Sequence, residues 1–197
     1  MRFINFSVMA ALGLLLLANP ALAEKMECTM CHADLAQGKV VHAAVQMGCE
    51  GCHTGVDAAN IPHVFKGKKG LSAEPPDLCF QCHAKDAFGK KVQHVPVAGG
   101  MCLSCHRVHS GPNERLLKSP GNALCIECHA GVKQRPHAAT DWNPTGHPLE
   151  GAEDPLTGKL LGCVSCHAPH SSDWGRLFRF DARDARGLCK HCHEFLQ

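Results

Sequence analysis

The chain has 197 residues with 20 Lys+Arg against 18 Asp+Glu, a formal charge of +2, and only eight Phe, two Trp and no Tyr. So balanced a charge says little about partners and lends no support to nucleic-acid binding, the clusters at Lys66-Gly67-Lys68-Lys69 and Lys90-Lys91 reading as solvated loops. So few aromatics beside 19 Gly and 12 Pro exclude a conventional aromatic-rich core.

The N-terminus reads as an export signal. Arg2 supplies a positive start, Val8 to Ala18 is apolar, and Pro20 precedes Ala21-Leu22-Ala23, a small-x-small cleavage site that leaves Glu24 first. The apolar run is short of the roughly 20 residues that span a bilayer, and no later stretch is apolar enough to do so. Residues 1–23 are therefore expected to be a signal peptide. The chain 24–197 should carry no transmembrane segment and reside in the periplasm, or outside the cell or at the outer membrane.

From residue 28 onward, all 14 cysteines fall into seven copies of Cys-x-x-Cys-His. They are Cys28/Cys31/His32, Cys49/Cys52/His53, Cys79/Cys82/His83, Cys102/Cys105/His106, Cys125/Cys128/His129, Cys163/Cys166/His167 and Cys189/Cys192/His193. In c-type haem attachment the two thiols form thioethers to the haem vinyls and the adjacent imidazole becomes the proximal iron ligand. The spacing makes about one helical turn, which sets both sulfurs against one porphyrin edge. Zinc would need two cysteine pairs per ion and leave the seventh over, and neither zinc nor disulfides ask for the histidine. The motifs imply seven covalently attached haem c groups.

About 25 residues per haem limits the fold strongly, and packed porphyrins must supply most of the burial. No long window sustains helical periodicity without Gly or Pro. The expected fold class is mainly α with extensive loops, its short helices (around Cys79 to Phe88 and Leu188 to Phe195, for example) wrapped around a quasi-linear haem array.

Taken two at a time, the motifs define blocks of about 28–78, 79–124 and 125–188, with 189–193 as a terminal unit. Gly38-Lys39 and His42 in the first block match Gly89-Lys90 and His94 in the second. Cys102-Leu-Ser-Cys105-His106-Arg-Val-His109-Ser110 matches Cys163-Val-Ser-Cys166-His167-Ala-Pro-His170-Ser171, and each is followed by Arg-Leu, at Arg115-Leu116 and Arg176-Leu177. An insertion around Glu150 to Leu160 reads as a surface loop.

Eight histidines lie outside the proximal positions. His42 and His94 share a slot, which His147 fills in block three. His109 and His170 share another, which His63 fills late in block one, and His137 stands apart. His191, between Cys189 and Cys192, should point away from the haem that it flanks. Without it, His42, His63, His94, His109, His137, His147 and His170 are the distal candidates. Met26, Met30, Met47 and Met101 also lie near motifs, and Met47 and Met101 look like packing against porphyrin.

Cys-x-x-Cys-His-x-x-His alternating with Leu-Cys-x-x-Cys-His resembles the doubled-CxxCH multihaem cytochromes. That group includes the pentahaem donor to cytochrome c nitrite reductase and the decahaem conduits of outer-membrane electron transfer. The resemblance implies an electron carrier with closely spaced bis-histidine haems and no catalytic residues. Its partners would be other redox proteins: cytochromes, a quinol-oxidising membrane complex or a terminal reductase, in anaerobic respiration or extracellular electron transfer. Two alternatives stand beside it, a subunit of an extracellular haem filament and a reductase of a small oxyanion. The reductase would need an iron with an open position, and the Cys-x-x-Cys-Lys motif and active-site Tyr of the nitrite reductase type are absent from this sequence.

Overall fold

A computed structural model of the chain describes residues 27–138, 144–183 and 185–193. The expected signal peptide, with its cleavage site and Glu24, lies outside the described residues, as do Met26 and Phe195. No helix among the described residues is long and apolar enough to cross a membrane.

Regular structure is short throughout. The α-helices are α1 (Ala43–Gln46), α2 (Asp77–Phe80), α3 (Val95–Ala98), α4 (Gly121–Ile126), α5 (Cys163–Cys166) and α6 (Ala185–Cys189). Between them run single 3-10 turns and two-residue strands. The strands are β1 (Val40–Val41), β2 (Val56–Asp57), β3 (Val64–Phe65), β4 (Val92–Gln93), β5 (Ser110–Gly111), β6 (Glu153–Asp154), β7 (Lys159–Leu160) and β8 (Ser171–Ser172). The expectation of a mainly α chain is therefore corrected. The fold is loops stitched by single helical turns and four antiparallel strand pairs, and Gly and Pro are the reason. α1 runs into Gly48 at φ +106°, α2 follows Pro75-Pro76, α3 stops at Gly99-Gly100 and α4 follows Pro120. The expected helix around Cys79 to Phe88 divides into α2 and a separate turn at Lys85–Ala87.

The strand pairs link segments distant in sequence. β1 pairs with β5, Val41 opposite Ser110, and β4 pairs with β8, Gln93 opposite Ser171. In both cases a strand just before one candidate histidine hooks onto a strand just after another. β2 instead pairs with β3 in its own hairpin, and so does β6 with β7. The Glu150 to Leu160 insertion is thus a hairpin with an anchored side chain, Asp154, in place of the expected loop.

A second recurrent device follows three of the motifs. Lys69-Gly70, Arg115-Leu116 and Arg176-Leu177 all hold the left-handed conformation, at φ between 54° and 66°. Leu116 O accepts the Arg107 N–H at 2.7 Å and Leu177 O accepts the Ala168 N–H at 2.7 Å, while Gly70 O accepts the Gly55 N–H at 2.9 Å. The turn therefore returns to the backbone beside His106, His167 and His53.

Side-chain burial is sparse. Among the described residues Leu116 is the one buried large apolar side chain, while Met47, Val95, Leu160 and Ile61 are at least 75% exposed. The polypeptide is a scaffold whose apolar surface faces outward from its own backbone, the converse of an ordinary globular core.

Candidate functional site

Each motif closes one turn upon itself. The N–H of the motif histidine donates to the carbonyl of the first cysteine, four residues back, at 2.9–3.1 Å in all seven copies. This bond sets the two thiols and the imidazole on one side of a single turn, as the spacing required.

The fourteen thiols are all free, but they are not equivalent as the uniform motif suggests. The second cysteines fall into two groups: Cys31, Cys82, Cys128 and Cys192 are exposed, whereas Cys52, Cys105 and Cys166 are half-buried. The left-handed turn is the physical difference. Where it follows the motif, the chain beyond it folds back on the second cysteine, whose carbonyl accepts a backbone N–H. Cys52 O takes that of Ser72 at 2.8 Å, Cys105 O that of Lys118 at 2.9 Å and Cys166 O that of Arg179 at 2.9 Å. Among the described residues the motifs of Cys31, Cys82 and Cys128 have no such turn after them, and their second thiols are exposed.

Opposite each motif histidine stands one other histidine. The ring centroids are 6.0 Å apart for His32 and His63, 6.2 Å for His53 and His109, and 6.1 Å for His83 and His42. They are 5.9 Å apart for His106 and His170, 6.1 Å for His129 and His94, 6.3 Å for His167 and His137, and 6.2 Å for His193 and His147. The partners are drawn from the whole chain. His42 precedes the second motif but faces the third, whereas His109 follows the fourth and faces the second. His94 and His170 repeat this crossing one block later. His63, on the β2–β3 hairpin, does not share the place of His109 and His170, since it faces the motif before its own. His191 is in no such pair; its ring stacks on Phe180 at 4.1 Å.

The gaps fit an iron with two axial imidazoles. Metal–imidazole bonds of about 2 Å on both sides of one ion, and roughly 1 Å from each nitrogen to its ring centre, give about 6 Å between centroids. Ring orientation fits as well. The Nδ1–H of His42 donates to Val108 O at 2.9 Å, that of His94 to Pro169 O at 3.0 Å and that of His63 to Asn60 O at 2.7 Å. The motif histidines His53, His106 and His167 donate from Nδ1 to Lys69 O, Arg115 O and Arg176 O, at 2.8–2.9 Å. A donating Nδ1 fixes the tautomer that leaves Nε2 with its lone pair for a metal. Burial pushes the imidazoles of His109, His137 and His170 down from their ordinary value, and the facing motif histidine adds to it in each. A neutral ring is the ligating form.

Backbone ties join the partners two by two. His42 N–H donates to His109 O at 2.8 Å, His94 N–H to His170 O at 3.0 Å, and His147 N–H to His137 O at 2.7 Å. His42 and His94 both sit at the corner between a strand and the first turn of α1 or α3, with extended backbone at ψ 131° and 132°. The first cysteines also lie beside one another across motifs, Cys28 by Cys49, Cys79 by Cys102 and Cys125 by Cys163. Burial, with the neighbouring Cys163 next, pushes the Cys125 thiol up to about 11. The second cysteines act across the other junctions. Burial and then Cys128 raise the Cys105 thiol, and Cys52 is the last of the causes that raise Cys79, after burial and Cys102. Sequence reasoning singled out the fourteen histidines that face one another here, but not the carbonyls that orient them. The repeated Arg-Leu was the visible trace of one set, and Lys69-Gly70 was hidden by the hairpin inserted before it.

The doubled CXXCH motif family matches this chain three times, at residues 42–88, 94–134 and 154–197, which together cover more than half of it. The matches join the second motif to the third, the fourth to the fifth and the sixth to the seventh. This phase differs from blocks that begin at the first motif, and it coincides with the three histidine ties. The chain is also 29% identical over 133 residues to the multiheme cytochrome MtrA of Shewanella baltica, a match covering 61% of this chain and 38% of that protein. The chain therefore spans well under two thirds of that relative's length. Repeated attachment motifs, single-turn geometry and three family matches together make this chain a member of the doubled CXXCH family of multihaem c-type cytochromes, proteins of electron transfer.

Proposed function

We propose that this protein is an exported heptahaem electron carrier in which all seven irons are held between two histidines. The observation that carries the reading is the pairing of every motif histidine with one other histidine at 5.9–6.3 Å. Bound haem supplies a one-electron ferric/ferrous couple. The protein's part is to hold the cysteines on one turn, to present two neutral imidazoles and to keep exogenous ligands from the axial positions. All fourteen cysteines are assigned to thioether attachment, the exposed Cys31, Cys82, Cys128 and Cys192 as well as the half-buried Cys52, Cys105 and Cys166. Exclusion of exogenous ligands favours a carrier over a reductase, which needs one position open to substrate.

The contacts also support an unbranched order. Cys28 with Cys49 joins motifs one and two, and the His42–His109 tie joins the partners of motifs two and three. Cys79 with Cys102, His94 with His170, Cys125 with Cys163 and His137 with His147 continue this alternation to the seventh motif. Such an array suits transfer between two redox proteins docked at its ends, with the periplasm or outer membrane as the setting. Anaerobic respiration or extracellular electron transfer is the role we assign.

Expression with a c-type ligation system tests this reading. The expected mass is that of residues 24–197 plus seven haems, and EPR of the oxidised protein should show low-spin iron alone. Fewer haems at full maturation, or a high-spin centre in the untreated protein, would overturn it.

A further inference from the structure

The array is built from near repeats, yet one side chain is set apart by its burial: Asp57 at the end of β2 accepts the N–H two residues on, as Asp154 does, but stays exposed. Asp154, at the end of β6, is 3% exposed and is the one buried charged side chain among the described residues. Its carboxylate accepts hydrogen bonds from the Ser165 and Thr157 hydroxyls and from the Leu156 N–H at 2.9 Å. These donors and Arg179 hold it below the usual carboxylate range, the Ser165 bond foremost. Ser165 lies between Cys163 and Cys166, and its hydroxyl also accepts the Gly162 N–H at 3.2 Å, so Asp154 is tied directly to the turn of the sixth motif. The carboxylate thus sits against the turn of the sixth motif. By contrast, the basic residue of the left-handed turn recurs beside three motifs as Lys69, Arg115 and Arg176, so it cannot distinguish one end from the other.

We propose that Asp154 is a potential-setting residue: a fixed buried anion that lowers the reduction potential of the haem at motif six relative to the rest. This rests on the heptahaem reading. A ferric bis-histidine centre carries one more positive charge than the ferrous one, so a nearby carboxylate stabilises the oxidised form, and does so more where water is excluded. The array thereby gains a polarity, with a more reducing centre at the sixth motif.

The test is a spectroelectrochemical titration of purified holoprotein beside Asp154→Asn, which keeps the shape and removes the charge. The expected result is a positive shift of the most negative part of the redox wave, with haem count and low-spin spectrum unchanged. Glu153→Gln, an exposed neighbour on the same hairpin, should leave the wave in place. His137→Ala locates the effect by making the sixth centre high-spin and separately readable, and adding Asp154→Asn should move that signal positive. An unshifted or negatively shifted wave in Asp154→Asn with all haems intact overturns the proposal alone, whereas a parent protein with fewer than seven haems overturns the heptahaem reading. Should Asp154→Asn mature poorly, Asp154→Glu serves: it keeps the charge, so the wave should stay in place as in Glu153→Gln, and a positive shift counts against the proposal.

Discussion

The backbone N–H of His42 donates to the carbonyl of His109 at 2.8 Å, yet their rings serve different motifs, His42 facing His83 and His109 facing His53. One hydrogen bond thus fixes the spacing of two neighbouring centres. His42→Ala and His109→Ala should each convert one haem to high-spin and let it bind carbon monoxide when reduced. They should affect different haems, so the double variant is expected to show two carbon monoxide sites. One site, or none, contradicts the pairing.

His191 gives the control. Its ring rests on Phe180 and faces no motif histidine, so His191→Ala should leave every haem low-spin in the isolated protein. His137→Ala, facing His167, should produce a high-spin centre. The reverse outcome in EPR would show that the two roles had been exchanged.

Ring planes make a further spectroscopic prediction. His42 and His83 lie 6° from parallel and His53 and His109 19°, while His147 and His193 stand at 69°. Parallel imidazoles give rhombic low-spin EPR signals and crossed ones give large-gmax signals. Both types should appear in the oxidised protein, and His147→Ala should remove the large-gmax contribution of the seventh centre.

Arg176 holds φ 55° on an exposed turn, a conformation that costs a non-glycine residue about 1 kcal/mol. Arg176→Gly should raise stability by up to about 1 kcal/mol in denaturant titration, with ligation unchanged because only its carbonyl meets His167. Gly70→Val should do the opposite, since an added Cβ would lie 2.6 Å from Val56 Cγ2.

Acid stability should depend on Asp154. Its folded value lies below the ordinary 3.8, chiefly through Ser165, so its contribution is present above that ordinary value and is lost as pH falls through the folded one. Ser165→Ala should move the acid unfolding midpoint to higher pH, measured by loss of the low-spin Soret band.

The sequence made the motifs and the fourteen paired histidines legible, because each needs a fixed residue type at a fixed offset. It did not reveal which histidine faces which, since that depends on β1 reaching β5 and β4 reaching β8, pairs of strands only two residues long with no periodicity to read. The mainly α expectation failed for a related reason: the single turns of the motifs look helical locally, and Gly48, Pro76, Gly99 and Pro120 end or delay each one. Seven identical motifs likewise hid the contrast between an open Cys31 or Cys128 and a covered Cys52, which the chain beyond the motif decides. Asp154 was invisible because a carboxylate in a polar insertion reads as solvated until Ser165 is placed against it.

The crossed pairing also bears on the order of events during biogenesis. A chain emerges N-terminus first, but His53 meets His109 and His106 meets His170 only after two further motifs have arrived. On the proposed ligation, early haems must wait with one protein ligand while later chain is delivered, and completion of the last block locks those before it. Truncation before His170 should therefore be felt upstream, at His106, whose partner would never arrive.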